Sequence, residues 1–449
     1  MAIAGAAIVL AAAGVAAPAL GSPALGSPAR PAAGSARAGA QLWASRYNGP
    51  AGGADRAAAI AVSPDGRMAF VTGRSYGGSS GWDYATVGYS AATGARRWSA
   101  RYAGPGNDPD AAKAVAVSPH GPVVVTGDSG RDIATVAYDA VTGRRLWARR
   151  YRGPGYRSVA TSVAASPDGA TVYVIGGSNL TASPQEHVAW AFTTIAYDAA
   201  TGAVRWVARY APHGGAHYSA RSEYWAHAVA VSPDGGSVYV TGTITGPGGD
   251  GPATGTVAYA AATGARAWTS TDCCVPDRSM ALSPDGAVVY TASISEFGPL
   301  IAYDAATGAE LWESDQVNSA LPALAVRPGG HLVVAAGTFV QAFVATSGSE
   351  SWMVVPAASA VAIAFAPGGG ALYVVGSERD RSGGSIYVTQ SLAPATGAQR
   401  WKRTYAVLPG GMNRASAIVV NPVTGAVYVT GGSAGSETGQ DYATVAYRG

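Results

Sequence analysis

The chain has 449 residues, 48% of them hydrophobic and only 13% charged, with a formal net charge of +3. That is enough apolar material for a large core, and length alone would allow more than one domain. Lys113 and Lys402 are the only lysines and no basic run stands out, so the clustered charge that tracks a phosphate backbone is missing and nucleic acid is excluded as the expected partner.

Residues 2–19 are uncharged and apolar and end in Ala17-Pro18-Ala19, a small-x-small site of the kind signal peptidases cut. We expect residues 1–19 to be a signal peptide, although a basic start is missing. The run is Ala-rich and broken by Pro18, which makes it weak for a membrane span of ~20 residues, and no Cys follows it for lipid attachment. Residues 20–40, rich in Pro, Ala, Gly and Ser, read as a flexible tether. The expectation is a secreted, extracellular protein with no stable membrane insertion.

From residue 41 onward one unit recurs. Ala114 to Val117, Val123 to Gly127, Ala134 to Tyr138 and Arg144 to Trp147 are short β-branched and aromatic runs, punctuated by Ser118-Pro119-His120-Gly121 and Thr142-Gly143. This is the grammar of four strands and tight turns. The first turn returns as Ser-Pro-Asp-Gly at Ser63, Ser166, Ser232 and Ser283, then decays to Pro-Gly forms at Pro328, Pro367 and Pro422. A Gly-x-x-x-Trp run closes the units at Trp98, Trp147, Trp206, Trp268, Trp312, Trp352 and Trp401. Repetition at this spacing means units that share one core, so we expect a single domain over 41–449.

The two ends are halves of one unit. Gly39 to Trp43 is an eighth Gly-x-x-x-Trp with no strands before it, and Tyr447-Arg448-Gly449 stops where such a run should begin. The expected fold is all-β, a single eight-bladed β-propeller of four-stranded antiparallel blades, in which Gln41 to Tyr47 completes the last blade and removes the open seam. With strands named A to D from the axis outward, the A-to-B and C-to-D turns share one face and are nearly constant. The B-to-C and D-to-A connections share the other face and vary, with inserts at Ser178 to Ala189 and Ala211 to Ala226. Variable loops on a rigid scaffold are where binding is expected.

The stretch Ala302-Tyr303-Asp304-Ala305-Ala306-Thr307-Gly308-Ala309-Glu310-Leu311-Trp312, with close copies ending at Trp147 and Trp206, resembles the tryptophan-docking motif of pyrroloquinoline-quinone-type propeller repeats. The resemblance implies that each Trp packs on the turn of a neighbouring blade. Asp83-Tyr84-Ala85-Thr86-Val87, repeated from Asp441, and Arg-Tyr-x-Gly-Pro at Arg46, Arg101 and Arg150 further resemble repeats of secreted bacterial propellers. Asp315 and Val355 replace that Arg in later units. The superfamily holds both quinone-dependent alcohol dehydrogenases and non-catalytic binding scaffolds, so the fold does not assign chemistry.

Three local features compete for function. Cys273-Cys274, the only cysteines, precede an inner strand at the mouth of the channel on the variable face. They read as a small disulfide stiffening a loop, or as free thiols. The resemblance adds a vicinal disulfide beside pyrroloquinoline quinone with calcium, but the acidic and amide residues that would hold calcium are not matched. His213, His217, His227 and Glu223 share one insert near His187, and a solvated polar loop outweighs a zinc or copper site there. Tyr156, Trp190, Tyr218, Tyr224 and Trp225 fall in or beside the variable loops, outside the repeat's packing positions. Rings with few charges suit a sugar or a peptide, and this patch carries the expected function. That function is a monomeric, non-catalytic scaffold for an extracellular glycan or protein segment, with no resident metal or cofactor; a quinoprotein-like oxidoreductase is the alternative.

Overall fold

The apolar runs form strands, and these assemble into eight antiparallel four-stranded sheets. The computed structural model describes residues 37–181, 190–212, 226–245, 252–272, 277–293, 298–314, 323–435 and 439–449. Blades 1 to 7 span 55–102, 110–151, 158–210, 226–272, 277–313, 323–354 and 360–405, each with its strands in chain order. The eighth sheet runs Arg414–Val420, Val427–Ala434, Gln440–Tyr447 and then Gln41–Tyr47, which pairs antiparallel with Gln440–Tyr447. The protein is the expected eight-bladed propeller, closed by its N-terminal strand. A 3-10 turn spans Gly78–Ser80, and among the described residues no helix is long and apolar enough to cross a membrane.

No blade owns a core. The buried apolar residues form eight clusters, each drawn from two adjacent blades: Trp43, Tyr428 and Tyr442 of blade 8 pack with Ile60, Val71 and Tyr89 of blade 1, and the pattern continues round the ring. Neighbours therefore stabilise one another, as in other repeat arrays.

The tryptophans are the outer pins of these interfaces. Seven indole N–H groups, those of Trp43, Trp98, Trp147, Trp206, Trp268, Trp312 and Trp352, donate at 2.8–3.0 Å to a carbonyl in the C-to-D turn of the next blade. The ring lies on that turn's glycine: a Cβ on Gly94 would stand 2.5 Å from Trp43, and one on Gly143 2.5 Å from Trp98. These glycines also take positive φ, 70° at Gly94 and 71° at Gly143, so the Gly of each run serves the preceding blade's Trp rather than its own. A register shift beside the Trp in all eight C–D pairs aims the ring outward along this path. Truncating one such Trp to Ala is expected to cost about 3 to 5 kcal/mol.

The eighth turn is built from both chain ends. Gly39 N–H donates to Arg448 O and Arg448 N–H to Ala40 O, both at 2.8 Å, reproducing the Gly94-to-Ser90 and Ser90-to-Ala95 bonds of the unbroken turn in blade 1. Trp401 lies on Gly39, and Arg403 Nε donates to Gly39 O at 2.8 Å as Arg149 Nε does to Gly202 O at 2.9 Å. Gly39 is thus the eighth copy of the turn glycine.

The A strands pack side by side round the axis. Seven of them bulge at one position, for example between Ala57 and Ala59, and between Ala415 and Ala417; the A strand of blade 6 does not. In blades 1, 2 and 8 the bulge pushes a carbonyl at a B-strand glycine: a Cβ on Gly73, Gly127 or Gly431 would come within 2.1 Å of Arg56 O, Ala111 O or Arg414 O, whereas blade 5 has Ser293 at this place.

Candidate interaction face

The constant face is self-satisfied. In the Ser-Pro-Asp-Gly turns Asp65 Oδ1 accepts from Ser63 Oγ at 2.5 Å and from the Arg67 N–H at 3.0 Å. These hydrogen bonds hold the Asp65 carboxyl below its ordinary value. Blade 2 has His120 in place of that Asp, and its Ser118 hydroxyl donates instead to Gly169 O of blade 3.

On the opposite face the Arg-Tyr-x-Gly-Pro runs are one part of a polar row that takes one residue from each strand. In blade 1 the row is Asp55, Ser75, Asp83 and Arg101, with Asp55 opposite Ser75 and Ser75 opposite Asp83. Arg101 pairs with Asp83 at 2.7 Å and donates to the Ser75 carbonyl and hydroxyl. The Gly49 N–H caps Asp55 at 2.6 Å, and a Cβ on Gly49 would lie 2.3 Å from Ser75 Oγ, which is why the motif requires glycine. Blade 2 repeats the row as Asp110, Ser129, Asp132 and Arg150, with Gly104 as its cap. Blade 8 repeats it as Asn413, Ser433, Asp441 and Arg46. Blade 3 keeps Ser158 and Ser178, capped by the Gly153 N–H, without the carboxylates. Burial raises the Asp55 carboxyl, and hydrogen bonds from Ser75 and Gly49 oppose it; Asp110 is raised in the same way. The motif tyrosine packs beside the row on the C-strand tyrosine, as Tyr47 on Tyr442 and Tyr102 on Tyr84.

One residue along the chain from members of this row stand Arg56, Arg74 and Arg414, neighbours of Asp55, Ser75 and Asn413. Arg56 Nη2 donates to Gln440 Oε1 at 3.2 Å. The Arg74 guanidinium sits 4.5 Å over the Trp82 ring, and Trp82 meets Tyr76 edge-on at 5.8 Å, with Tyr76 39% exposed. Sequence reading missed this aromatic pair. Its signal was the short hairpin, which sets Arg74 opposite Tyr84 and Tyr76 opposite Trp82.

Of the residues singled out from sequence, Tyr156 is half-buried in the D-to-A connection after blade 2, with the Arg131 guanidinium 4.1 Å over its ring. Trp190 opens the C strand of blade 3 opposite Asn179. Ser178 and Asn179 lie in the B strand Thr171–Asn179, so the insert expected from Ser178 begins later; the Ser178 hydroxyl bonds to Ser158 and Thr193 and extends the strand. Tyr218, Tyr224, Trp225, Cys273, Cys274, His187, His213, His217 and Glu223 lie outside the described residues. His227 is described, with Nε2 3.2 Å from Thr243 Oγ1. The quinone alternative calls for acidic and amide groups free to bind calcium at the mouth. Among the described residues Asp83, Asp132 and Asp441 are instead paired with arginines, and Asp55 and Asp110 are capped by backbone N–H groups. That donor set, in blades 1, 2 and 8, does not fit calcium; Cys273 and Cys274, beside which the alternative puts the cofactor, lie outside the described residues.

Many solved structures share the fold, BamB and Sqt1 among them. BamB from Moraxella catarrhalis superposes with a TM-score of 0.56 at 18% identity, over 91% of this chain and 99% of that one. Chaetomium thermophilum Sqt1, solved bound to the N-terminus of ribosomal protein L10, superposes with a TM-score of 0.62 at 13% identity, over 90% and 98%. Among curated proteins there is no match. The sequence model of the outer membrane protein assembly factor BamB matches residues 32–243 and 253–444, nearly the whole propeller, and the chain belongs to that family.

Proposed function

We propose that the chain is an interaction scaffold that holds a segment of a partner protein on the B-to-C and D-to-A face. The observation that carries this reading is an asymmetry in an otherwise repetitive ring. At that face, among the described residues, blades 8 and 1 bring together Arg56, Arg74 and Arg414, none of them in an ion pair, and the Tyr76–Trp82 pair beside a buried polar row, whereas the Ser-Pro-Asp-Gly turns of the constant face satisfy their own polar groups. Tyr156 and Trp190, with Tyr218, Tyr224 and Trp225 from the sequence, extend the proposed surface over blades 3 and 4. Two neighbours in fold support a protein ligand, one an assembly factor and the other solved with a protein N-terminus bound. Kinship with an outer membrane assembly factor supports a place in the bacterial envelope, reached by an export signal at residues 1–19, and the protein acts there as a monomer.

Panning the purified full chain against a displayed peptide library and a glycan array tests this. Peptide hits are expected to lose about tenfold or more in affinity on Tyr76→Ala or Trp82→Ala, the range of an aromatic anchor, and nothing on Val423→Asp at the constant face. Hits confined to the glycan array, or peptide hits indifferent to Tyr76 and Trp82, would overturn the protein-segment reading.

A further inference from the structure

Arg56 and Arg414 occupy the same place in neighbouring A strands, each one residue before the bulge, with its carbonyl seated over a B-strand glycine. Their backbones are therefore fixed. Arg74 stands opposite Arg56 in the A–B pair of blade 1. Among the described residues none of the three is in an ion pair, and Arg56 donates to a neutral amide, Gln440.

Blade 2 shows that this is not how the ring treats charge generally. There the place of Arg74 is taken by Asp128, which pairs with Lys113 at 2.7 Å on the adjoining strand and accepts from the Ala160 N–H of blade 3. Blade 8 puts Gly432 in that place. Burial, and then the fields of Arg74 and Arg414, push the Arg56 guanidinium down from its ordinary value. Beside them Trp82 supports Arg74 from one side and continues to the exposed edge of Tyr76.

We infer that Arg56, Arg74 and Arg414 form an anion site for the carboxylates of an acidic peptide segment, with the Trp82–Tyr76 edge taking an adjoining apolar side chain. The inference rests on the scaffold reading and names the chemistry of its ligand. Planar guanidinium forks match carboxylates in pairs, and a ring edge next door suits a side chain rather than a bare ion. The site excludes a basic segment by like charge.

The test uses the full chain and a fluorescein-labelled peptide of six glutamates followed by Leu-Phe, read by anisotropy, with its glutamine counterpart, inorganic phosphate and a sulfated oligosaccharide as competitors. The glutamate peptide is expected to bind about tenfold or more tighter than the glutamine peptide, and to lose about as much on Arg56→Gln/Arg414→Gln, with a shallower salt dependence. Arg414→Gln alone, at an exposed position, provides the same direction of change without risk to folding, and Arg97→Gln on the outer rim should change nothing. Equal binding of the two peptides, or affinity unmoved by both Arg414 variants, would overturn the site. So would a sulfated sugar or phosphate that displaces the peptide at lower concentration than the unlabelled peptide does. If acidic peptides fail while library peptides still depend on Tyr76 and Trp82, the anion site falls and the scaffold reading stands.

Discussion

Blades 8, 1 and 2 differ from blades 5 and 6 most at the variable-face end of their strands. Both groups dock their tryptophans on the next blade's turn in the same way, Trp43 and Trp98 no differently from Trp268 and Trp312. At the variable face, however, the first group ties four strand ends together through an Asp or Asn, a Ser, an Asp and an Arg, and its strands run seven to nine residues. In blades 5 and 6 the strands run four to six residues. The outer pins make the ring, and the polar row is an addition that ties together the strand ends of one arc. That arc is also where Arg56, Arg74, Arg414 and Trp82 stand, so the row acts as the foundation of the proposed binding mouth.

Removing residues 41–47 should break the comparison most severely, because it strips the D strand from blade 8, leaves the edge of Gln440–Tyr447 unpaired and takes Trp43 away from Gly94. Loss of the cooperative melting transition is expected by circular dichroism; a truncated protein with the full-length melting curve would refute the closure. A smaller effect separates the two arcs. Arg101→Ala leaves Asp83, a nearly fully buried carboxylate, without its cation, and should cost about 2 to 3 kcal/mol, the low end for a broken buried pair because Arg101 keeps 23% of its surface. Lys402→Ala in blade 7 removes a pair in which both side chains are about one-third exposed, and should cost at most about 1 kcal/mol. Equal costs in chemical denaturation would show that the row contributes no more than a surface pair.

Much of this was legible because the chain says it eight times. The turn residues, the Gly-to-Trp offset and the half-units at Gly39 and Tyr447 are local signals, and repetition separates them from chance. The identity of the Trp's partner was less visible: Gly94 and Trp98 adjoin in sequence, yet Gly94 packs on Trp43, since the packing crosses a blade boundary. The polar row was seen only in part. Arg101 and Asp83 lie in recognisable motifs, but Asp55 and Ser75 do not, and placing all four together requires both the hairpin registers and the A-strand bulge. Arg74 and Trp82 were hidden for the same reason, because an Arg and a Trp eight residues apart acquire meaning only once Tyr76 is known to face Trp82.

The smallest effect concerns protons, and its sign distinguishes the row from the turns. Burial lifts the folded-state carboxyls of Asp55 and Asp110 above the ordinary 3.8. Between that value and the raised one the folded protein holds more protons than the unfolded chain, so these two groups make stability rise as pH falls through the window. The turn aspartates have the opposite sign. Asp198, held at about 2 by Arg205 and Thr201, and Asp65, Asp168 and Asp304, all lowered, contribute stability above pH 3.8 that is lost as pH falls through their folded values. Wild type and Asp55→Asn/Asp110→Asn should therefore differ in slope just above pH 3.8, the variant lacking the gain that wild type shows on mild acidification, while both lose stability together at lower pH. Denaturant titrations at intervals from pH 7 to pH 3 measure this, and parallel curves through the window would mean that the carboxylates at the base of the mouth stay ionised, their charge met by Arg101 and Arg150.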